Sequence, residues 1–311
     1  MLYDLVTLRK SLLEAFDTKE VEATILRLQN QLENVKLQVP VIGDENLAYL
    51  DNLIEHYTLV INQVNEPHEY FKKKIQHIND EINRVSIELF TNNYELEEHD
   101  GGFEHVKNHR RIHVRPEVED IVRQRIQLYT GWQYPTLEIG CRDGEWTQHL
   151  VAADPLYVVD KYPEFLDSTF SKFPDSYQRR LRRYDLNNYD FSELPQKQFG
   201  FVFSWGHFNY VSLDTITHTL KGIKELLRPG GVFLFSYNDG DTPVGAGMAE
   251  NFAQTFIPKS ILIPTCMGLG FEVLQTFDEL PNISWIEIKK PGVLKSIKAH
   301  QVMGEVKRRI P

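Results

Sequence analysis

Pro135-Thr136-Leu137-Glu138-Ile139 is a short apolar stretch that runs directly into a turn with glycines four apart, Gly140-Cys141-Arg142-Asp143-Gly144. A strand ended by such a turn constrains the fold more than any other local feature of this chain. Glycine lets the backbone take φ > 0 and lets another group approach the main chain closely. The pattern predicts a strand over 136–140, a tight turn and a helix over 145–152. Further strands are expected at 156–160, near 181–185, at 199–204 and at 232–237, with helices at 163–173, 213–227 and 258–269. That alternation belongs to a parallel, doubly wound α/β sheet covered on both faces. The pattern changes near the end of the chain, where residues 270–277 and 283–289, around Pro281-Asn282, read as an antiparallel strand pair.

A pyrophosphate-binding dinucleotide turn wants a third glycine where Glu145 stands, so that reading fails. Acidic residues instead mark the strand ends. Glu138 precedes the first glycine by two residues and suits a cationic ligand. Asp160, 22 residues further on, ends the segment Leu156-Tyr157-Val158-Val159-Asp160, where a carboxylate can accept both hydroxyls of a ribose. Asp185 follows the third expected strand and could accept from an adenine amino group, with Asp190 and Asn187 close enough to exchange roles with it.

Glycine turn, ribose acid and adenine acid in that order resemble the class I S-adenosylmethionine-dependent methyltransferases. The resemblance extends through Phe199-Gly200-Phe201-Val202-Phe203-Ser204 and Leu227-Arg228-Pro229-Gly230-Gly231, and covers residues 116 to 311. It implies a Rossmann-like seven-stranded sheet with a C-terminal antiparallel hairpin, and S-adenosyl-L-methionine as cofactor. It also implies a cofactor site built from Glu138, Gly140, Arg142, Gly144, Asp160, Asp185 and Ser204. Two positions depart from the family. A glycine usually stands where Arg142 is, and an aspartate usually opens the fourth strand where Gly200 is. Arg142 could reach the methionine carboxylate or block the site.

The resemblance places the loop Trp205-Gly206-His207-Phe208-Asn209-Tyr210-Val211 beside the reacting methyl. His207 or Tyr210 could act there as a general base or an acceptor-orienting group, against the plainer reading that the aromatics pack the cleft. Residues 236–241 should lie at the same edge as a polar, flexible segment. No Asn-Pro-Pro-aromatic tetrad follows the fourth strand and neither cysteine follows a proline, which points away from nucleobase methylation. The acceptor classes that remain are a small molecule, a sugar or a protein side chain.

Ahead of this domain, residues 1–91 read as all-α. Val21, Ile25, Leu28, Leu32 and Val35 recur at coiled-coil spacing, as do Leu47, Leu50, Ile54, Tyr57, Ile61 and Val64, and then Ile75, Ile78, Ile82, Val85 and Leu89. Breaks are expected near Pro40 and at Pro67. Either an intramolecular bundle or an oligomeric coil fits, so a homo-oligomer or larger assembly through residues 1–91 is expected. A connector is predicted over 92–115 and the methyltransferase-like domain over 116–311, opened by a helix with Pro116 in its first turn. A second function class stays open: a scaffolding protein that assembles through the coil and keeps an altered methyltransferase fold.

Charge and cysteine usage narrow the partners. Residues 1–99 hold 9 Lys/Arg against 18 Asp/Glu, while residues 289–311 hold 7 against one. An acidic front half repels a phosphate backbone, so nucleic acid is not the expected partner. No apolar run reaches the ~20 residues of a membrane span. Two cysteines and no secretory signal fit a reducing, cytoplasmic setting. No metal is expected: His105, His109 and His113 are spaced for one helical face but interleaved with Arg110, Arg111 and Arg115. Arg179, Arg180, Arg182 and Arg183 read as a solvated basic face.

Overall fold

A computed structural model describes residues 1–38, 47–98, 116–186, 189–277 and 283–294. The chain divides into two compact units, Met1–Ile87 and Glu88–Pro311. The histidine triplet at 105–113, Asn187, the Pro281-Asn282 loop and most of the basic tail lie outside the described residues.

The first unit is helical: α1 (Leu2–Ala15), α2 (Thr18–Gln38) and α3 (Leu47–Glu98). Asp17 starts α2 by accepting from the backbone N–H groups of Lys19 and Glu20 at 3.0 and 3.2 Å, which satisfies two of the orphan donors at the helix end. The Phe16 ring stacks on Phe71 at 4.3 Å, and Glu22 on α2 pairs with Lys72 on α3 at 2.8 Å. Ile25, Leu50, Ile78, Ile82 and Val85 are buried along the predicted seam, and Leu2 and Val6 of α1 are buried as well. The break expected near Pro40 lies outside the described residues, and the one expected at Pro67 does not occur. Pro67 lies inside α3, whose long flanks absorb the one backbone hydrogen bond it removes. The helix also runs through Asn92-Asn93 to Glu98, because a nucleated helix tolerates asparagine at a cost of only tenths of a kcal/mol per residue.

The second unit takes in the end of α3 from Glu88 and continues with α4 (Pro116–Tyr129), with Pro116 in its first turn and Glu117 and Glu119 complementing its dipole. The strands are β1 (Thr136–Ile139), β2 (Leu156–Asp160), β3 (Leu181–Asp185), β4 (Phe199–Ser204), β5 (Leu227–Tyr237), β6 (Glu272–Phe277) and β7 (Ser284–Lys289). They form one sheet in the order β3-β2-β1-β4-β5-β7-β6. The first five are parallel, and β7 inserts antiparallel between β5 and β6. The helices are α5 (Pro163–Ser171), the single turn α6 (Asp175–Gln178), α7 (Leu213–Leu226), α8 (Pro243–Glu250) and α9 (Lys259–Gly268).

Strand alternation divides the core into two layers. Leu137, Ile139, Phe199 and Val202 pack with Ile216, Leu220 and Ile223 of α7 and with Leu262 of α9. Phe201, Phe203, Val158 and Trp285 pack with Val118, Val122 and Ile126 of α4 and Leu166 of α5. Strand order reverses at β1, so the crevice at the carboxyl ends of β1, β2 and β4 is where such a sheet takes a ligand.

Three local expectations are corrected. Residues 145–152 form no α-helix, only a 3-10 turn over Thr147–His149; Trp146 at its start supplies no side-chain cap. The Arg228-Pro229-Gly230-Gly231 turn lies within β5 as a bulge. The register steps from Phe199↔Leu227 to Phe201↔Val232, and Gly230 takes φ 82 to make the step. Helix α8 stands where the sequence pattern predicts none. Thr242 caps it, accepting from the Gly245 N–H at 3.0 Å, with Pro243 at its first position.

Candidate functional site

At the carboxyl end of β1 the chain turns through Gly140 (φ 73), Arg142 (φ 50) and Gly144 (φ 80). A Cβ on Gly140 would lie 2.8 Å from the His207 Cβ and 3.0 Å from its ring. The space that glycine preserves is therefore filled by His207. Gly144 similarly abuts Thr169 of α5, whose hydroxyl donates to the Arg142 carbonyl at 2.9 Å and locks the turn to the helix after β2.

Asp160 ends β2 beside this turn and is buried. One carboxylate oxygen accepts from the Arg142 backbone N–H and the other from the Tyr162 N–H, both at 3.0 Å. Oδ2 also accepts from the Cys141 thiol at 3.8 Å, a weak donor that a hydroxyl can displace. Burial pushes its pKa up to about 7, against the Arg142 N–H and charge and, more weakly, the Cys141 thiol and the Lys161 N–H.

Glu138 lies on the α4 side of β1, out of phase with Leu137 and Ile139, and is also buried. Its Oε2 has no hydrogen-bond partner. Burial raises its pKa to about 8; the Thr147 hydroxyl acts the other way and the Asp160 charge adds to the rise. Two buried carboxyls at adjacent strand ends, one with an orphaned oxygen, make a cradle suited to a group that brings hydrogen-bond donors and positive charge.

The other expected residues are placed less uniformly. Ser204 is fully buried and donates to the Ile139 carbonyl at 2.8 Å, joining β4 to β1. Asp185 pairs in register with Asp160 and is exposed at the tip of β3. Asp190 accepts from the Ser192 N–H at 2.9 Å within its own loop. The Arg142 guanidinium sits 5.5 Å over the Phe165 ring, toward α5. Gly200 is near the amino end of β4, where a Cβ would lie 2.7 Å from that of Tyr134. That departure from the family pattern is thus explained by packing at the edge of the sheet opposite the turn.

In the loop after β4, Phe208 packs edge-on against Phe233 and Phe235, and Trp205 lies 5.2 Å from Trp146. These two rings fill the core, in keeping with the plainer reading. The His207 Nε2 is buried without a partner. Burial, with the Lys161 charge second, lowers its pKa to about 4, so the ring is neutral at pH 7. The Tyr210 backbone N–H donates to the His207 carbonyl at 3.2 Å.

Residues 236–241 are not the flexible polar segment expected, because most of their polar groups are used internally. Ser236, Asn238 and Asp239 are buried. Asn238 donates to the Gly245 and Thr255 carbonyls, both at 2.9 Å, and Asp239 accepts from the Lys259 N–H at 2.9 Å. The arginine cluster behaves as a solvated face: Arg180 pairs with Asp154 at 3.6 Å and Arg183 pairs with Asp167. Among the described residues no group of three or more His, Cys, Asp or Glu could hold a metal, and both cysteines are free and buried. No described helix is long and apolar enough to cross a membrane.

Residues 137–233 match a family model described as a methyltransferase domain. No curated protein matches the chain. Solved structures of similar fold include an S-adenosylmethionine-dependent methyltransferase from Mesorhizobium loti (13% identity, 55% of this chain and 97% of that one, TM-score 0.45). Another is geranyl diphosphate C-methyltransferase from Streptomyces coelicolor A3(2), solved with Mg2+, geranyl diphosphate and S-adenosyl-L-homocysteine (9%, 56% and 81%, TM-score 0.48). A third is a methyltransferase from Methanosarcina mazei (12%, 58% and 100%, TM-score 0.46). The family match runs from β1 into β5 of the sheet described above, so the second unit contains, over residues 137–233, a region that matches a methyltransferase domain.

Proposed function

We propose that the protein transfers a methyl group from S-adenosylmethionine to a small molecule, a sugar or a protein side chain. The observation that carries this reading is the pair of buried carboxyls, Glu138 and Asp160, at the ends of β1 and β2 around a turn held at positive φ. Asp160 would accept the ribose hydroxyls, and Glu138 would face the positive charge of the amino-acid end. The backbone of residues 140–144 would line the bound cofactor, and Asp185 would stand at the adenine. When bound, the cofactor supplies an already activated methyl, so the protein's part is positioning and exclusion of water. Neutral His207, with so low a pKa, is an orienting group in this reading rather than the base that takes a proton.

We assign assembly to residues 1–91, with a connector over 92–115 whose first residues, to Glu98, continue α3. In support, Leu28, Leu32 and Val35 of α2 and Ile54, Tyr57, Ile61 and Val64 of α3 remain partly exposed along the seam. Sedimentation of the full chain tests this: a monomer at all concentrations refutes it.

Calorimetric titration with S-adenosylmethionine and S-adenosylhomocysteine tests the enzyme reading. Micromolar binding is expected, weakened more than about tenfold by Asp160→Ala, the loss of two charge-assisted hydrogen bonds. Unchanged affinity in that variant overturns the site assignment, and no binding by the wild-type chain overturns the function.

A further inference from the structure

Asn209 is fully buried in the loop after β4, a costly place for an amide unless both its ends are satisfied. Both are. Its Oδ1 accepts from the Ser236 hydroxyl at 2.9 Å, and its Nδ2 donates to the Gln254 Oε1 at 3.2 Å. Ser236 Oγ in turn accepts from the Gly206 N–H at 2.7 Å. The donors therefore run in one direction, Gly206 to Ser236 to Asn209 and Asn209 to Gln254, an arrangement in which each bond polarises the next. The Asn209 carbonyl also accepts twice from Thr255, from its N–H at 2.9 Å and its hydroxyl at 3.1 Å.

These ties bracket His207. Gly206 on one side and Asn209 on the other are fastened to β5, and the stretch between them holds the imidazole against Gly140. Thr255 is bound through its carbonyl to Asn238, which also grips the Gly245 carbonyl in α8. A continuous polar path thus leads from α8 through Asn238 and Thr255 to Asn209, two residues from the histidine whose ring covers the first glycine of the turn.

We propose that Asn209 is a positioning residue: held by Ser236 on one side and Gln254 on the other, it fixes the His207 ring against Gly140 and ties the segment bearing α8 to the cofactor turn. Segment 238–257 is then the acceptor-side wall, and its placement sets that of His207. The functional meaning rests on the methyltransferase reading above, but the placement of His207 is measurable without it.

The test uses the full chain with labelled histidine and glycine. In the wild type, a nuclear Overhauser contact is expected between the His207 ring protons and the Gly140 α-protons. Gln254→Met keeps the side-chain length but removes the acceptor. It should lose that contact and bind S-adenosylhomocysteine about fivefold more weakly, the effect of one lost hydrogen bond. Gln254→Glu keeps an acceptor for Asn209 and should restore both. A contact that persists in Gln254→Met, or that is lost in both variants, overturns the proposal. Should Gln254→Met fail to fold, Ser236→Ala cuts the same hold at its other end and must lose the contact. If no chain binds S-adenosylhomocysteine yet the contact follows this pattern, the methyltransferase reading fails while the positioning role stands.

Discussion

Gly140→Ala should destabilise the second unit by about 2–5 kcal/mol, and the structure separates that figure into two parts. The backbone at φ 73 costs any residue with a Cβ roughly 1–2 kcal/mol. The new methyl, 2.8 Å from the His207 Cβ, adds about 1–3 kcal/mol of overpacking because both main chains are tied by hydrogen bonds, Gly140 N–H to the Val159 carbonyl and the His207 carbonyl to the Tyr210 N–H. Urea unfolding followed by tryptophan fluorescence measures this unit selectively, since all four tryptophans lie between positions 132 and 285. The parts can be told apart in a His207→Gly background, which removes both the ring and the Cβ. There Gly140→Ala should cost only the backbone share, about 1–2 kcal/mol. An equal cost in the two backgrounds would refute the steric argument. A cost below about 0.5 kcal/mol in both would also refute the backbone one.

Other substitutions probe different levels of the same structure. Glu287 is fully buried on β7 and accepts from Arg125 of α4 at 2.7 Å and from Gln275 of β6; Glu287→Ala should cost about 3 kcal/mol by leaving the arginine uncompensated. The Lys289–Glu272 pair, whose glutamate is exposed and whose lysine is half-buried, provides the control, with Glu272→Ala shifting the urea midpoint by the equivalent of less than about 0.5 kcal/mol. Arg142→Gly relieves the strain of φ 50 but gives up the contact with Phe165 and adds freedom to the unfolded chain. The net change should stay within about 1 kcal/mol, and a much larger loss would mean that the arginine side chain holds the turn. Glu138 and Asp160 have folded pKa values raised to about 8 and about 7. The folded state therefore binds more protons than the unfolded one, and this pair's contribution falls as pH rises through that range. The melting temperature of the ligand-free protein should decline from about pH 5 to about pH 8, between the unfolded and folded pKa values, and Glu138→Gln should flatten the decline; an unchanged slope counts against the buried-acid account.

What is legible in the sequence follows from which physical constraint each residue answers to. The strands of the parallel sheet can be located because short apolar runs must be buried on both faces, and the terminal antiparallel pair because its alternation differs. Glu138 and Asp160 are legible because a carboxylate at a strand end is costly to bury and therefore conspicuous. The helix expected over 145–152 is a single 3-10 turn over Thr147–His149, which the residue pattern after the glycine turn does not reveal. Helix α8 escapes because Pro243-Val244-Gly245-Ala246-Gly247 has the composition of a loop, and the cap from Thr242 becomes a signal only once the chain is folded. The sequence does not reveal what lies against each glycine. By pattern alone Gly140 makes room for a ligand and Gly200 is a lost acid; the structure fills the first space with His207 and the second with Tyr134. Both observations concern contacts across more than sixty residues of chain, which no local pattern encodes. Asn209 makes the same point from the polar side. It looks like one more loop residue between aromatics, yet its partners at 236, 254 and 255 become neighbours only when β4, β5 and the segment after α8 meet at one edge. A local pattern can therefore locate the strand end that receives a ligand, but the residues that shape the opposite wall are specified by tertiary contacts.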